Sequence, residues 1–393
     1  MKTLILLGGG HAHLAVLKQL EDGVPNGWRV QLLSPSQYQT YSGMLPGWIS
    51  GHYALSECQI DLQLRCERAG VEFIIDTAIG IDADQRFVTR PSGLLLKYDL
   101  LSIDIGGESK VGAFARSGDQ LIPIRPLDEF IQKWTGIIRE SERGKSLRIA
   151  IVGGGAAGVE LALAMQYTKR KLKLPMEIDF VCSKKGVLPG FAASVICRTQ
   201  QAIARSGLKQ HQAKAEGTGA GLVLSNGAVI HADFIIAATG IRAPYFLRNS
   251  KLALNQRGFI ALNAAQQSTS HSNVFAAGDV GSRLAEHAKS GVHAVRAGPV
   301  LAQNLIGVMR GESPKTHYKP KKTTLYLLAT GPKHAVASWG NFSAAGRWVW
   351  YWKRWIDRNF VAKISLVDAI NPVLIYSTGY LTVIKRRVIR LYQ

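Results

Sequence analysis

Short apolar runs that end in glycine-rich turns are the main pattern of the chain. Residues 4–7 are continuously apolar, glycines follow at 8–10, and residues 12–20 carry apolar side chains at helical spacing. The same order recurs in 147–164, LRIAIVGGGAAGVELALA. Short continuous apolar runs bounded by turns are typical of buried strands in a parallel sheet. The pattern therefore predicts an α/β fold in which the unit of strand, glycine turn and helix occurs twice.

Each glycine turn is close to the dinucleotide-binding fingerprint G-x-G-x-x-G. The second turn is complete, with Gly153, Gly155 and Gly158, whereas the first has His13 at the third glycine position. The first glycine permits the tight turn, the second lets the backbone approach a pyrophosphate, and the third lets helix and strand pack closely. The following helix adds N–H groups and a positive dipole end. We predict that His13 either opens the first turn slightly or points its ring out of the helix–strand interface.

Two later apolar runs complete a specific order of motifs. Residues 234–242, FIIAATGIR, are a predicted strand with an A-T-G turn, preceded by a hairpin turn at Asn226-Gly227. Residues 273–281, NVFAAGDVG, are another predicted strand, ending in Gly278-Asp279. This order resembles the two-dinucleotide-binding-domain flavoproteins of the pyridine nucleotide-disulfide oxidoreductase superfamily.

The resemblance implies two cofactors. In that superfamily the first fingerprint binds FAD, and a second, inserted domain binds NADH or NADPH. The implied FAD contacts are Gly8, Gly9, Gly10, His11, Ala12, Ser34, Gly278 and Asp279. The implied NAD(P)H contacts are Gly153, Gly155, Ala156, Gly158 and Gly240.

A closer resemblance rests on GGGHAH and on residues 35–53, 99–107 and 346–360. These stretches are similar to a flavoprotein-like module fused to some bacterial selenide, water dikinases. That module resembles type II NADH:quinone oxidoreductases and sulfide:quinone oxidoreductases, which implies a quinone-like acceptor.

The same resemblance implies candidate catalytic residues. Glu160 matches a glutamate that type II enzymes place near nicotinamide and quinone, although an acid there also favours a helix N-terminus by its charge. Lys289 lies in the segment placed against the isoalloxazine, where a cation would stabilise negative charge on the reduced flavin. Tyr41 and Pro46 are candidates for the other flavin face.

The residues that contact the adenosine ribose depart from the family pattern. Ser34 and Ser183 stand where an acidic residue is usual, and Lys184 and Lys185 follow Ser183. A hydroxyl with two cations suits a 2′-phosphate, which favours NADPH over NADH. The alternative is that these are solvated lysines of a basic protein and that the second domain binds no nucleotide.

Cysteine and histidine spacing predicts neither a thiol relay nor a metal site. The stretch TYSGMLPG occupies the place where disulfide reductases carry C-x-x-x-x-C, and the cysteines at 58, 66, 182 and 197 lack metal-binding spacing. His11 and His13 are two residues apart and do not share a helix face. This cysteine usage is typical of a reducing compartment, so we expect a cytoplasmic protein.

The C-terminal part is basic and aromatic. The chain has 48 Lys+Arg against 27 Asp+Glu, a net charge of +21, and residues 346–364 and 379–393 combine cations with apolar stripes. In 346–364 Val349, Trp352, Ile356 and Phe360 fall on one apolar helical stripe, and Arg354, Asp357 and Arg358 are displaced from it. This composition favours an interfacial helix on the inner face of the cell membrane. The alternative is packing on the flavin domain or on a second copy of the chain in a homodimer; no motif supports nucleic acid.

Together these features predict two Rossmann-like domains, the second inserted in the first. We expect the FAD domain at 1–115 and 240–320, the NAD(P)H-type domain at 116–239, and a C-terminal segment at 321–393. The predicted function is hydride transfer from NAD(P)H to FAD, with electrons passed to a quinone-like acceptor. The alternatives are an oxidoreductase acting on sulfide or a selenium compound, and a non-catalytic FAD-binding regulatory module at the membrane.

Overall fold

The computed structural model describes residues 1–283, 289, 291–320 and 323–364, and within them two parallel five-stranded sheets form the framework. The first sheet has the order Val274–Ala276, Leu100–Ile103, Lys2–Leu7, Trp28–Ser34, Glu72–Ile75. The second has the order Leu121–Pro123, Phe234–Ala237, Leu147–Val152, Met176–Cys182, Lys209–Gln212. Because the strand 274–276 returns to the first sheet, the second Rossmann-like unit is inserted into the first. The predicted α/β class and the two Rossmann-like units are confirmed.

Helices cover the sheets and connect their strands. They are His11–Leu20, Leu45–Ile49, Leu62–Arg68, Leu127–Glu142, Ala156–Leu172, Ala193–Ser206, Gly291–Met309 and Arg347–Ile364. In the first unit the helix His11–Leu20 lies against Gly291–Met309, and a Cβ atom on Gly298 would stand 2.8 Å from the Cβ atom of Ala15. A glycine is therefore required for the two backbones to approach so closely.

Short strands and single helical turns fill the connections. The antiparallel sets are Tyr38–Thr40 with Gln59–Asp61; Gly80–Asp82, Phe87–Thr89 and Leu95–Lys97; Ala215–Thr218, Gly221–Leu224 and Val229–His231; Glu108–Ser109 with Ile241–Arg242; and Leu325–Ala329, Ala335–Trp339 and Phe342–Gly346. A parallel pair joins Ile260–Ala261 to Gly281–Ser282. The 3₁₀ turns are Ser42–Met44, Leu55–Cys58, Gly112–Gln120, Tyr245–Asn249 and Gly278–Val280. The predicted hairpin turn at Asn226-Gly227 is present, with Gly227 at a φ of 83°.

The C-terminal helix Arg347–Ile364 packs on the first unit and on the strands Leu325–Ala329, Ala335–Trp339 and Phe342–Gly346. Val349 and Ile356, on the apolar stripe, are buried within the protein, as the packing alternative expects, and Lys353 and Asp357 are buried with them. Asp357, which is displaced from that stripe, is nevertheless buried, where it pairs with Lys353 of the same helix and is hydrogen-bonded to Tyr41 of the first unit. The second basic stripe, 379–393, lies outside the described residues. No helix within the described ranges is both long enough and apolar enough to span a membrane.

Candidate active site

A cleft of about 430 Å³ opens at the carboxyl ends of the first sheet's strands. It lies where the strands Lys2–Leu7 and Leu100–Ile103 run side by side and their following turns diverge. Ligands of open α/β sheets bind at such switch points, and this volume is in the range of small-molecule sites. The cleft lining includes six of the expected FAD contacts, namely Gly8, Gly9, Gly10, His11, Ser34 and Asp279. Ala12 and Gly278 lie behind the lining, against Asp104.

The glycine turn of the first unit is packed tightly around Asp104. A Cβ atom on Gly10 would stand 2.3 Å from Asp104 Cγ, and one on Gly8 would stand 2.6 Å from the Asp104 carbonyl oxygen. Asp104 Oδ2 accepts hydrogen bonds from the backbone N–H groups of Ala12, at 2.7 Å, and His13, at 3.2 Å. A carboxyl group from the neighbouring strand end therefore caps the helix that follows the first fingerprint.

Burial raises the pKa of Asp104 to about 7. The two backbone hydrogen bonds oppose this shift, and the nearby Asp279 carboxylate adds to it. Sequence reasoning did not single out Asp104, which also lines the cleft. The available signal was an acid directly after a buried strand and two residues before the glycine pair 106–107.

The His13 ring lies inside the helix–strand interface and is fully buried. Its Nδ1 atom is 2.6 Å from the Gly8 carbonyl oxygen, and its Nε2 atom is 2.8 Å from Ser102 Oγ. Burial lowers the pKa of His13 to about 4, so the ring is neutral. Because a carbonyl only accepts, Nδ1 carries the proton and Nε2 accepts from the Ser102 hydroxyl. The expectation that the ring points out of the interface is wrong, since these two partners hold it within.

His11 occupies a different environment on the cleft side. Its ring centroid is 5.6 Å from that of Tyr41 and 6.0 Å from that of Phe360 on the C-terminal helix. Burial and, to a smaller extent, Arg125 lower the pKa of His11 to about 4. Its Nε2 atom is buried and makes no hydrogen bond with the described residues. Within those residues no group of His, Cys, Asp or Glu side chains is arranged to hold a metal ion.

One arginine brings positive charge to the cleft. Arg125 Nη1 is 3.1 Å from Asp279 Oδ2, and both residues line the cleft. Its guanidinium also lies 3.3 Å from where a Cβ atom on Gly106 would stand. Sequence reasoning missed Arg125, which lies 154 residues before its partner, because only the folded chain brings the two together.

The second fingerprint has the close packing that its glycines predict. Gly153 adopts a φ of 138°, and a Cβ atom there would stand 2.3 Å from the Ala238 carbonyl oxygen. A Cβ atom on Gly158 would stand 1.9 Å from the Gly153 carbonyl oxygen. Gly155 caps the helix that begins at Ala156, and space around Gly155 is open. The turn is thus free to receive a ligand at the helix N-terminus.

The segment of the second unit where the sequence predicts the ribose contact is polar and accessible. Ser183, Lys184 and Lys185 directly follow the strand Met176–Cys182, and all are exposed. Gly240, after the A-T-G strand, also has open space where a side chain would stand.

Glu160 lies on the second fingerprint helix, facing the C-terminal part of the chain. Its Oε1 atom accepts a hydrogen bond from the Ala329 N–H at 2.8 Å. Burial raises the pKa of Glu160 to about 7, although Lys353 opposes the shift. The Lys353 ammonium is 3.0 Å from Asp357 Oδ2 and donates to the Gly43 carbonyl oxygen at 2.8 Å. The C-terminal helix therefore inserts an ion pair between the two units, next to a candidate catalytic carboxyl.

Lys289 and the cysteines lie apart from the described cleft lining. The Lys289 ammonium donates to the Gly281 carbonyl oxygen and lies 4.2 Å from the Phe259 ring centroid. The role of Lys289 at the flavin stays a prediction. All four cysteines are free thiols, and burial raises the pKa of Cys58 and of Cys66 to about 12, which makes both unreactive.

Comparisons with known proteins agree with this architecture. The chain is 22% identical over 290 residues to the NADH dehydrogenase-like protein YutJ of Bacillus subtilis, a match covering 72% of this chain and 77% of that protein. It is 24% identical to ferroptosis suppressor protein 1 of Homo sapiens, over 67% of this chain and 70% of that protein. It also matches an alternative NAD(P)H-ubiquinone oxidoreductase of Arabidopsis thaliana at 27% identity, over 40% of this chain but only 34% of that longer protein.

A solved structure and a family model give the broader placement. The sulfide:quinone oxidoreductase of Aquifex aeolicus has the same fold, with a TM-score of 0.74 at 17% identity, over 94% of this chain and 93% of that one. The model of the pyridine nucleotide-disulphide oxidoreductase family matches residues 2–298, which is most of the chain. Because that match spans both Rossmann units and both glycine turns, the protein belongs to the pyridine nucleotide-disulphide oxidoreductase family.

Proposed function

We propose that the protein is an FAD-dependent oxidoreductase that takes hydride from NADH or NADPH and passes electrons to a quinone-like acceptor. The observation that carries this proposal is the pair of Rossmann units, each with a glycine turn at the head of a helix. The first turn opens on a built cleft, and the second has open space at its helix cap. Relatives named as NADH dehydrogenase-like and ubiquinone oxidoreductases support the choice of donor and acceptor.

The first cleft suits a dinucleotide such as FAD. It begins at Gly8–Gly10, passes the strand end at Ser34 and reaches Arg125 beside Asp279. Glycine N–H groups and a guanidinium are the groups that hold a pyrophosphate, and an aspartate suits the hydroxyls of a polyol chain. When bound, FAD would supply the redox chemistry by accepting a hydride and releasing electrons. The protein would bind it, orient it and surround it with fixed charges.

The second unit supports a nicotinamide dinucleotide as the donor. Its complete turn accepts a ligand at the cap Gly155, and the cations at 184 and 185 follow the strand that ends near the expected ribose position. We propose NADPH as the preferred form, because a 2′-phosphate would be paired there rather than left in water. Replacing both lysines by alanine should weaken NADPH binding about tenfold and leave NADH binding unchanged. Lys214→Ala, an exposed lysine of the same unit, is the matched control.

Glu160 is proposed to hold a proton for the acceptor. A carboxyl with a pKa of about 7 is divided between its acid and base forms at neutral pH. Lys353, whose charge acts on Glu160, also donates a hydrogen bond to the Gly43 carbonyl oxygen. Gly43 lies in the 3₁₀ turn Ser42–Met44, and Ser42 lines the cleft. Glu160→Gln should slow the reduction of a soluble quinone and flatten its pH profile near pH 7, while flavin reduction by the donor proceeds. If both half-reactions slowed equally, the acceptor role would be wrong.

The test of the whole proposal is an anaerobic titration of the purified protein, followed in the visible spectrum. We expect oxidised-flavin bands that bleach on addition of NADPH or NADH, with their colour restored by a quinone. Bound flavin that neither nucleotide bleaches would contradict the donor and favour the non-catalytic module. Addition of sulfide and selenide in separate cuvettes tests the remaining alternative. In the described part of the cleft no cysteine forms the lining, which disfavours a route through a protein persulfide.

Association with a membrane surface is proposed from the outer face of the C-terminal helix. Trp348, Tyr351 and Trp355 are 57%, 46% and 48% exposed and recur at helical spacing. Trp339 and Phe342, at the tip of the adjoining hairpin, are also exposed. Aromatic side chains beside cations favour the headgroup region of an anionic bilayer.

The membrane test follows from the two faces of this helix. Removing the helix would also remove the buried Lys353, so a surface variant is better. The triple change of Trp348, Tyr351 and Trp355 to serine should abolish flotation with phosphatidylglycerol vesicles. The control changes the exposed residues Ile79, Leu94 and Leu95 to serine and should float normally. Equal flotation of both variants would contradict this surface and favour the packing or homodimer alternative.

A further inference from the structure

The two Rossmann units of this chain can be compared position by position. In each unit the first glycine of the turn contacts the carbonyl oxygen at the end of the neighbouring strand. A Cβ atom on Gly8 would stand 2.6 Å from Asp104 O, and one on Gly153 would stand 2.3 Å from Ala238 O. Asp104 and Ala238 therefore occupy equivalent positions, and the first unit carries a carboxyl where the second has a methyl group.

The Asp104 carboxyl stands where a dinucleotide-binding helix presents its N–H groups. It accepts from the N–H groups of Ala12 and His13, and glycines enclose it on two sides. A Cβ atom on Gly278 would stand 2.6 Å from the other oxygen, Oδ1. The carboxyl is thus held by its surroundings and cannot turn away into solvent.

The charges around Asp104 do not compensate a second anion. Asp279 faces it from the G-D turn, and Arg125 is paired with Asp279. The imidazoles of His11 and His13, on the capped helix, are neutral because burial lowers the pKa of each to about 4. A pyrophosphate carries two negative charges, so an ionised Asp104 beside it would be strongly repelled in this buried place.

We infer that Asp104 is the neutral, protonated acid when the first unit holds FAD, and that FAD binding takes up one proton at this carboxyl. The inference rests on the proposed FAD function. Burial already raises the pKa of Asp104 to about 7 in the free protein, and a bound dianion raises it further. The protonated carboxyl does not repel the phosphates and can donate a hydrogen bond. Because the free carboxyl must first take up this proton, FAD affinity depends on pH.

The test measures FAD binding to the flavin-free full chain between pH 6 and pH 8. FAD fluorescence gives the Kd, and calorimetry in buffers of different ionisation enthalpy counts the protons taken up. With the free carboxyl titrating near pH 7, linkage gives a Kd about tenfold higher at pH 8 than at pH 6. Proton uptake should approach one per FAD at pH 8. The FAD pyrophosphate itself stays doubly ionised throughout this range.

Asp104→Asn keeps an acceptor for Ala12 and His13 but has no proton to gain. We expect its Kd to change less than twofold between pH 6 and pH 8, without proton uptake. Asp104→Ala, which reproduces Ala238 of the second unit, should show the same independence and serves if the asparagine variant does not fold. Asp233→Asn, whose carboxylate caps the Arg148 N–H elsewhere, should retain the dependence of the native protein.

The outcomes separate this inference from the function on which it rests. FAD binding by the native protein with constant affinity and no proton uptake would overturn the role of Asp104 and leave the flavoprotein proposal standing. No FAD binding at any pH would overturn the proposed function itself. The native measurement is decisive without any variant.

Discussion

Replacing His13 by glycine restores the complete fingerprint in the first unit, and we expect it to destabilise the protein. A reading of the motif alone predicts a neutral or favourable change, because the third glycine serves close packing. In the structure the ring is fully buried and bonded to Gly8 on the turn and to Ser102 on the neighbouring strand. The two views give opposite signs for the same substitution.

The expected loss is about 4 kcal/mol in the free energy of unfolding. Large-to-small substitutions in a core cost about 2–5 kcal/mol through lost burial and a cavity. The Ser102 hydroxyl and the Gly8 carbonyl lose their partner, and each buried orphan group costs about 1–3 kcal/mol when it is not rehydrated. Water entering the cavity would recover part of this by rehydrating the two groups, which places the total at the lower end of the summed range of about 4–11 kcal/mol. For a unit of this size the melting temperature should fall by roughly 8–16 °C.

Thermal melting and urea unfolding of the flavin-free chain provide the assay, with His231→Gly as the control. His231 is exposed in a hairpin strand, so its replacement should change the melting temperature by less than a few degrees. The double variant with Ser102→Ala should lose less than the two single losses combined, because one orphan group is then removed. A His13→Gly protein as stable as the native one would refute the assignment of these hydrogen bonds.

Three further predictions concern other parts of the fold. Gly158→Ala should destabilise the second unit by about 3 kcal/mol or more and abolish nicotinamide dinucleotide binding. The reason is that the new Cβ atom would stand 1.9 Å from the Gly153 carbonyl oxygen. Urea unfolding measures the loss of stability, and calorimetric titration measures the loss of binding. Lys353→Met should cost about 3–5 kcal/mol by leaving Asp357 buried without its cation, and the added change Asp357→Leu should recover most of it. Between pH 5 and pH 8 the free energy of unfolding of Asp104→Asn should rise by about 2–3 kcal/mol relative to that of the native protein. The reason is that the pKa of Asp104 is raised in the folded state, so its stabilising contribution is lost as the pH rises from the unfolded-state pKa to about 7. A constant difference between these two proteins across that range would contradict the buried acid.

The parts of the fold that follow from local sequence could be predicted. Strand, glycine turn and helix lie within about twenty residues of each other in both units, so the pattern of 4–20 and of 147–164 contains them. Six residues of the first cleft's lining also follow from motifs, because strand ends of one parallel sheet meet at one edge.

The interactions that required the folded chain are those between distant polar side chains. Asp104 meets the N–H of Ala12 across 92 residues, and no spacing rule connects them. Lys353 and Asp357 are spaced as an ordinary surface pair of a helix, and only Gly43 and Glu160, from the two units, explain their burial. A hydrophobic stripe assigns such residues to solvent because it contains no information about a polar partner elsewhere.

The first unit differs from the second at two positions that lie close together. His13 stands where the second unit has Gly158, and Asp104 stands where it has Ala238. The backbone N–H of His13 donates to Asp104 Oδ2, and the ring Nε2 of His13 accepts from the Ser102 hydroxyl. Ser102 and Asp104 lie two residues apart at the end of one strand. Side-chain hydrogen bonds therefore join the fingerprint helix to the strand Leu100–Ile103, whereas Gly158 achieves the same approach in the second unit by backbone contact. Because these bonds need no ligand, they hold the helix N-terminus in place before a dinucleotide arrives. Removing the His13 ring leaves the Ser102 hydroxyl and the Gly8 carbonyl without that partner. Removing the Asp104 carboxyl takes the acceptor from the backbone N–H groups of Ala12 and His13, so each change alone costs stability.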